Sequence, residues 1–361
     1  MKICIFSINA YSVFNPSSDA PIGGTEVQLA FLANFFSSQI KTSFITGDWG
    51  QRVIEEIEGI KIYRAFSLKR SFLNYLGAPF LLWRALNLAD ADIYLASSAG
   101  MEIGIISLFC KIKRRKFIYR TAHEWDCTGE YILKHIVAGR FFKYGLVHSD
   151  RVIAQNLEHA HLLKKNYGIL VEVIKNAWMI TPIELKEKNG ILWVGRCERW
   201  KNPSLLLKIA EKLHQYQFIM ICPKQKHNLN YFEKIKRKAK SLPNMTFIDF
   251  VPFFEIQGYF NSVALFIGTS QYEGFPNTYL QACIGSTPIV SYKVNPDNFI
   301  NENNVGYCAD GDLEKMIDQI NRLLHDEKDW NKKSENALQY AKENHDINIV
   351  GEQWKKLLEK I

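Results

Sequence analysis

The sequence lacks the features that mark several classes of protein. Seven cysteines are spread over 361 residues, and none stands in a C-x-x-C pair, which argues against a disulfide framework or a zinc knuckle. The longest uncharged apolar run, Ser71 to Trp83, is well short of the roughly 20 residues that span a bilayer. Repeats and low-complexity tracts are also absent. We therefore expect a globular protein of the reducing cytoplasm without a transmembrane anchor.

Two nucleotide-binding patterns are missing as well. Neither G-x-G-x-x-G nor the P-loop pattern occurs, which counts against dinucleotide and ATP chemistry. The net charge of +8 is compatible with nucleic acid, anionic lipid or phosphate-bearing substrates. No nucleic-acid motif favours the first of these, so we expect no nucleic-acid partner.

Short β-rich runs alternate with amphipathic stretches of helical length, a pattern typical of βαβ units and parallel sheets. A first series of predicted strands comprises Ile3–Ser7, Thr42–Thr46, Ile60–Arg64, Ile93–Ala96, Phe117–Arg120, Val152–Ala154 and Val171–Ile174. A second comprises Ile191–Val194, Phe218–Ile221, Met245–Ile248, Leu265–Ile267 and Pro288–Ser291. Helices are predicted between them, notably Thr25–Ser37, Ser71–Leu88 and Gly129–Val147.

This organisation predicts two Rossmann-like domains with doubly wound parallel sheets, which face each other across a cleft. The first covers residues 1–178, with the last helix in 346–361 folding back onto it, and the second covers 179–345. Ligands of such sheets bind at the carboxyl ends of the strands. Functional residues are therefore expected in the loops that lead from strand to helix.

The strongest signal is the segment Ser270 to Ala282, which follows the apolar strand Ala264–Gly268. Gly274 and Pro276 predict a turn, and Asn277 is a natural N-cap for the helix that follows. The start of that helix offers unpaired N–H groups and the positive end of a dipole, as diphosphate sites do.

Two polar side chains flank this turn. Glu273 precedes it, and Gln281 lies one helical turn beyond Asn277, so both are expected to point into the same cleft. One would hold a sugar hydroxyl and the other a ribose. On spacing alone, a solvated Glu with a polar helix residue behind it explains the pattern equally well.

The pattern Glu273, Gly274, Phe275, Pro276 resembles the signature of the glycosyltransferase family 4 type of GT-B enzyme, in which a second Glu stands eight positions after the first. The resemblance implies that Glu273 contacts the hydroxyls of the donor sugar, and that residues 274–277 bind substrate. The chain departs from the family at Gln281, where an amide replaces the acid that contacts the ribose. An amide can still donate to and accept from a ribose diol.

A second signal lies after the buried strand that ends in Val194. Arg196 and Lys201 could clamp a diphosphate and offset the charge that develops on it as it leaves. The spacing resembles the family's G-R-x-x-x-x-K-[NG] element, which implies this phosphate role and a catalysis that needs neither a metal nor a cofactor.

Three further loops match the family less specifically. Gly23 and Gly24 open the first long helix, where paired glycines let a backbone approach a phosphate. His123 lies after the strand Phe117–Arg120 and resembles the family's active-site His, which contacts the donor sugar. The turn around Val251 resembles the element whose main chain contacts the nucleobase. Glu124, Asp126 and Glu130 could hold an acceptor hydroxyl, although solvated acids explain them too.

One apparent metal motif is interpreted differently. Asp90-Ala91-Asp92 has the D-x-D spacing of metal-using transferases, but it lies at the amino end of the strand Ile93–Ala96, the wrong edge for a ligand. We interpret it as a turn from helix to strand.

The resemblance implies a retaining hexosyltransferase that moves a sugar from a nucleoside diphosphate to a hydroxyl of a glycan or lipid-linked acceptor, in polysaccharide or glycoconjugate synthesis. A sugar-nucleotide 2-epimerase and an inert nucleotide-sugar-binding subunit remain as alternatives. Basic and aromatic residues in Lys69 to Trp83 and in Lys111 to Lys116 also predict peripheral contact with an anionic membrane on its inner face. A core helix with ordinary flanking charges is the alternative there.

Overall fold

A computed structural model of the chain describes residues 1–18, 20–68, 72–181, 188–225 and 227–361. These residues form two compact units, Met1–Met179 with Asp346–Ile361, and Ile180–His345. Lys69, Arg70 and Ser71, which begin the segment predicted to contact a membrane, lie outside the described residues.

The first unit is built on an eight-stranded sheet. Its strands are β1 Lys2–Phe6, β2 Lys41–Thr46, β3 Ile54–Ile57, β4 Ile60–Arg64, β5 Ile93–Ser97, β6 Lys116–Arg120, β7 Arg151–Ala154 and β8 Glu172–Val173. Its helices are α1 Tyr11–Phe14, α2 Gly24–Ser37, α3 Phe72–Ala89, α4 Met101–Lys113, α5 Glu124–Thr128, α6 Glu130–Lys134, α7 Ile136–Val147, α8 Leu157–Tyr167 and, from the end of the chain, α16 Ile347–Leu358.

The strand order of this sheet is β3-β4-β2-β1-β5-β6-β7-β8, and all pairs except β3–β4 are parallel. Neighbouring residues of β1 enter different cores, Cys4 and Phe6 one and Ile3 and Ile5 another, because successive side chains of a strand point to opposite faces. Both faces of the sheet are thus buried, as a doubly wound sheet requires. Trp354 of α16 is fully buried in the second of these cores.

Two local predictions for this unit were incomplete. Strand β3 was missed because its inner residues, Glu55 and Glu56, are charged; it is an edge strand joined to β4 by a turn at Glu58 and Gly59, both with positive φ. The predicted helix Gly129–Val147 is broken at His135, whose φ of −129° is not helical. The chain turns there because Gly139 of α7 packs against the backbone of Ile132.

The second unit contains a six-stranded sheet. Its strands are β9 Ile191–Val194, β10 Phe218–Ile221, β11 Met245–Ile248, β12 Leu265–Gly268, β13 Ile289–Ser291 and β14 Gly306–Cys308. Its helices are α9 Pro203–Lys212, α10 Leu229–Lys240, α11 Ile256–Ser262, α12 Asn277–Ile284, α13 Phe299–Glu302, α14 Leu313–His325 and α15 Glu327–His345, with 3-10 turns at Arg199–Lys201, Phe253–Glu255 and Pro296–Asn298.

All strands of this sheet are parallel, in the order β11-β10-β9-β12-β13-β14. The chain winds outward from β9 in one direction and then from β12 in the other, so the order reverses between these two strands. Loops that leave β9 and β12 therefore border a crevice at the carboxyl edge, where doubly wound sheets bind ligands. The predicted α/β class with two doubly wound parallel-sheet domains is confirmed.

Candidate active site

Lys201 and Glu273 form an ion pair at the point where the strand order of the second sheet reverses. Lys201 ends the loop after β9, Glu273 lies in the loop after β12, and Lys201 Nζ contacts Glu273 Oε1. Their side chains are only 16% and 11% exposed, so water screens the two charges weakly. Ser270 Oγ donates to the same carboxylate oxygen at 2.9 Å. The two loops that the sequence singled out separately thus meet in one charged cluster.

Hydrogen bonds fix the two loops to each other beneath this pair. Trp193 Nε1 of β9 donates to Thr269 Oγ1 at 2.8 Å, and Thr269 Oγ1 donates to the carbonyl of Lys201 at 2.7 Å. The main-chain N–H of Gln271 donates to the carbonyl of Trp200 at 2.8 Å. Because main-chain groups of both loops take part, the spacing of Lys201 and Glu273 is set by the scaffold.

A pair of stacked aromatic rings lies beside the ion pair. The rings of Trp200 and Tyr272 are 5.6 Å apart with an angle of 12° between their planes. Lys201 Nζ lies 4.5 Å from the centre of the Trp200 ring, a distance at which the π face attracts a cation. This stack was not predicted from the sequence, although Trp200 adjoins Lys201 and Tyr272 adjoins Glu273.

Arg196, the other predicted phosphate ligand, lies on the loop after β9, as Lys201 does. Its side chain is exposed, and it follows Gly195, where a Cβ would lie 2.9 Å from the Trp193 ring. Glu198, the first acidic residue after Arg196 in the chain, has other partners. It accepts from Asn228 Nδ2 at 3.2 Å and pairs with His227 at 3.0 Å. Arg196 can therefore reach an anion at the carboxyl edge without first leaving a buried partner.

Helix α12 begins one residue earlier than the sequence predicted. Pro276 occupies the N-cap position and Asn277 is the first helical residue, so the prediction of Asn277 as the N-cap was wrong. Proline has a φ fixed near the observed −64° and lacks an N–H, which suits it to a position where no donor is needed. The helix still begins directly after the turn that contains Gly274 and Pro276.

Two predicted substrate ligands of this segment are buried. The ring of Phe275 packs against Phe299 and His345, with centroids 5.0 and 4.9 Å away, so only its main chain is left for a ligand. Gln281 is 5% exposed, and its carbonyl accepts from Gln257 Nε2 at 3.0 Å. The turn after β11 places Val251 in the core at 6% exposure, which leaves main-chain recognition there as well.

In the first unit, Gly23 and Gly24 form the start of α2. Gly23 is the N-cap in an extended conformation, with φ −126° and ψ 174°, and a Cβ on it would lie 2.5 Å from Glu26 Oε2. The glycine therefore lets the Glu26 carboxylate approach the first turn of the helix, where an acid is stabilised by the helix dipole.

His123 is the N-cap of α5, and its ring orientation is fixed by the backbone. Its Nδ1 accepts from the N–H of Trp125 at 3.2 Å, which places the ring proton on Nε2.

The carboxylate of Asp126 accepts from the N–H groups of Ala122 at 2.7 Å and of His123 at 3.2 Å. Burial raises the pKa of Asp126 while these N–H groups lower it. Asp126 completes a capping box and is not free to bind an acceptor, and Glu130 is paired with Lys134 at 3.0 Å.

A buried arginine lies just before this histidine, and sequence reasoning missed its environment. Arg120, at the end of β6, is 1% exposed and donates to Asn176 Oδ1 at 2.5 Å, while its Nε and Nη1 have no hydrogen-bond partner among the residues that the structure describes. Burial lowers its pKa to about 10. On the neighbouring helix α8, His159 contacts Thr121 at 3.4 Å, and burial, followed by the charges of His123 and Arg120, lowers its pKa to about 4.

The D-x-D segment is confirmed as a turn from helix to strand. Arg115 pairs with Asp90 at 2.7 Å and with Asp92 at 3.2 Å, and Asp92 also accepts from the N–H of Lys2 at 2.8 Å. These partners lie at the amino edge of the sheet. Both carboxylates thus have local structural roles there.

Comparison with known proteins agrees with this geometry. Residues 176–344 match the family described as glycosyl transferases group 1. Over 358 residues the chain is 23% identical to an uncharacterized glycosyltransferase of Haemophilus influenzae, an alignment that covers 93% of this chain and 96% of that protein.

Solved structures resemble the chain over its full length. The structure of HepE from Anabaena in complex with UDP and glucose has a TM-score of 0.78 at 18% identity, and that of the lipopolysaccharide outer core galactosyltransferase WaaB has 0.67 at 17%. Each comparison covers 100% of both chains. The chain thus has the fold of GT-B glycosyltransferases, and its residues 176–344 match the glycosyl transferases group 1 family.

Proposed function

We propose that this protein is a glycosyltransferase that moves a hexose from a uridine diphosphate donor to a hydroxyl of a glycan or lipid-linked acceptor, with retention at the anomeric carbon. The observation that carries the proposal is the Lys201–Glu273 ion pair at the switch point of the second sheet, inside the segment that matches the group 1 family. UDP is favoured over other nucleotides because HepE binds UDP and glucose in a chain of similar fold.

The charges of the second unit suit a donor diphosphate. An ammonium group has three N–H donors, so Lys201 can keep its bond to Glu273 and donate to a phosphate oxygen. Arg196 adds an exposed guanidinium, and the start of α12 adds main-chain N–H groups. Together these groups would stabilise the charge that develops on the departing diphosphate without a metal ion.

The remaining roles follow from hydrogen-bonding capacity. Glu273 has a second carboxylate oxygen that can accept from hydroxyls of the donor sugar. His123, protonated on Nε2, would donate to a sugar oxygen, and Gly23 and Gly24 would lie along the diphosphate. Retention without a carboxylate nucleophile requires the acceptor to attack from the face that the diphosphate leaves, with a phosphate oxygen taking the proton of the acceptor hydroxyl.

Ligand binding tests the donor part of the proposal first. UDP should raise the melting temperature of the full chain more than GDP or ADP does, because a ligand that binds only the folded state stabilises it in proportion to its affinity. Equal shifts for all three nucleotides, or none, would contradict the choice of UDP.

Product analysis then separates transfer from its alternatives. A transferase incubated with UDP-glucose or UDP-galactose and an acceptor should form a glycoside of unchanged anomeric configuration, visible by NMR. An epimerase would release an altered sugar nucleotide without an acceptor. The third alternative is an inert binding subunit, which is considered because Gln281, neutral and buried, replaces the acid of the family signature. Such a subunit would bind UDP and would not convert any UDP-sugar.

We further propose that the enzyme acts at the cytoplasmic surface of a membrane in polysaccharide or glycoconjugate synthesis. Within the described residues no helix meets the length and hydropathy needed to cross a bilayer. Of the aromatic residues expected to face lipid, Phe80 is 73% exposed, but Trp83 packs edge-on against Phe109 at 5.0 Å and so faces the core.

A further inference from the structure

Helices α4 and α7 of the first unit pack backbone to backbone. A Cβ on Gly104 would overlap the carbonyl oxygen of Phe141, and one on Gly145 would overlap that of Ile103. The contact partners run in opposite directions along the two helices, so α4 and α7 are antiparallel. At this distance no side chain separates the helices, and their outer faces form one continuous surface.

Helix α6 is held against the same pair. A Cβ on Gly139 of α7 would lie 2.6 Å from the Cα of Ile132, which fixes α6 beside the start of α7. One turn along α4 from Gly104 lies Leu108, and one turn back along α7 from Phe141 lies Val137. Residues of all three helices therefore come together at the surface.

That surface is apolar to an unusual degree. Leu133, Ile136 and Val137 are 82%, 68% and 62% exposed. We call the α4–α7 surface the set of exposed apolar side chains on these three helices: Leu108, Ile112, Leu133, Ile136, Val137 and Phe141. A cluster of large apolar side chains in water marks a place where a partner binds.

The exposed charges near the α4–α7 surface are mostly positive, and the one acid of α6, Glu130, is paired with Lys134 at 3.0 Å. No acidic residue occurs from Ile103 to His123 or from Tyr131 to Ser149. Five exposed cations border the apolar residues and have no ion pair with an acid in the described part of the chain: Lys111, Lys113, Arg114, Arg140 and Lys143.

We propose that the α4–α7 surface docks on anionic phospholipid. A surface of apolar side chains flanked by lysine and arginine can bind an acidic bilayer. The apolar side chains enter the acyl region, and the cations contact the phosphates of the headgroups. A second copy of this chain is disfavoured because a two-fold contact would place these cations against one another. The inference rests on the proposed function in that such docking would bring the enzyme to a lipid-linked acceptor.

Sedimentation with vesicles tests the proposal directly. The full chain is mixed with phosphatidylcholine vesicles with and without phosphatidylglycerol, at low and high salt. We expect binding only to the vesicles with phosphatidylglycerol, and weaker binding at high salt. Two variants probe the surface: an apolar one with Leu133→Ser, Ile136→Ser and Val137→Ser, and a charge one with Lys111→Glu, Arg140→Glu and Lys143→Glu. Each cation removed should weaken binding about fivefold.

Matched controls lie on the same unit. Leu157 and Leu170 are 66% and 89% exposed, and Lys164 and Lys165 are exposed on α8. The controls Leu157→Ser with Leu170→Ser, and Lys164→Glu with Lys165→Glu, should bind vesicles as the unchanged protein does. UDP-induced thermal shifts, measured on every variant, report folding and donor binding independently of lipid.

The outcomes are distinct. Loss of vesicle binding in both surface variants, with the UDP shift retained, supports the proposal. Absence of binding to phosphatidylglycerol vesicles, or equal loss in the controls, overturns it even if UDP binds. A dimer of the unchanged protein that dissociates in the apolar variant would assign the surface to self-association instead, and would also overturn it.

Discussion

Lys201 Nζ and Glu273 Oε1 are in contact although 72 residues separate them in the chain. The contact exists because β9 and β12 are neighbours in the sheet while their strand-to-helix loops leave on either side of the point where the strand order reverses. A carboxylate and an ammonium are thereby held together where a doubly wound sheet binds its ligand.

Removing either member of the pair should nearly abolish transfer. Lys201→Ala and Glu273→Ala are each expected to lower kcat at least about 100-fold, the usual effect of losing one group that stabilises the transition state. Steady-state rates of UDP release in the presence of acceptor measure this. Lys208→Ala, an exposed lysine on α9, is the control and should leave the rate unchanged. Near-normal rates in both site variants would contradict the assigned site.

The same pair should contribute to stability in a way that a double-mutant cycle can reveal. Lys201→Met or Glu273→Gln alone leaves a largely buried charge without its partner and should lower the free energy of unfolding by about 3 kcal/mol. The double variant should lose less than the two single variants together, because it leaves no uncompensated charge. Urea denaturation measures each value. Strict additivity would show that the two charges do not interact in solution.

His123 has both a structural and a proposed functional role, and one substitution separates them. Asparagine is a good N-cap, so His123→Asn should retain the stability of the α5 turn but lose the Nε2–H donor. We expect a melting temperature close to that of the unchanged protein and a fall in kcat of about 100-fold. His123→Ala should lose the cap as well, at about 1 kcal/mol. Full activity of the asparagine variant would limit His123 to capping.

The buried His159 should make the protein sensitive to acid. Its pKa is about 4 in the folded protein against 6.5 in a free side chain, so between these values the unfolded chain binds a proton that the folded one does not. The stability is therefore complete above pH 6.5 and falls as the pH drops toward 4, by up to about 3 kcal/mol. Urea midpoints across this range measure the slope.

A pair of variants isolates the contribution of His159. His159→Gln should flatten the slope between pH 6.5 and 4, whereas His161→Gln, on an exposed position of the same helix, should not. An unchanged slope in the first variant would mean that other groups cause the loss of stability in acid.

Two glycine substitutions, one in the contact between α4 and α7 and one outside it, should have opposite effects on stability. Gly145→Ala would force a Cβ into the carbonyl of Ile103 and should cost about 2 kcal/mol of unfolding free energy. Gly258→Ala in α11 meets nothing within 4 Å and should stabilise the protein by about 0.5 kcal/mol, since alanine favours helix. Thermal or urea unfolding measures both. A neutral Gly145→Ala would contradict the backbone-to-backbone contact.

The sequence by itself determined most strands of both sheets, although it missed β3 and β14, and it identified the loops that carry the candidate site. Apolar runs such as Ile191–Val194 and Phe218–Ile221 are local signals, and the structure has these two strands with the predicted bounds. Signals that depended on fine local geometry were less reliable. The N-cap of the helix after Glu273 lies one residue before the predicted one, because proline and asparagine both suit helix starts.

Only the tertiary structure decided which of those loops meet. Lys201 and Glu273 come together because strand order is set by contacts between residues far apart in the chain, and no local pattern encodes that order. The same holds for Arg120, a strand residue that is 1% exposed and donates to Asn176, 56 residues away in the chain. The α4–α7 surface also depends on tertiary structure. Its apolar side chains are typical of core residues in the sequence, but they are exposed because α4, α6 and α7 pack closely at their glycines.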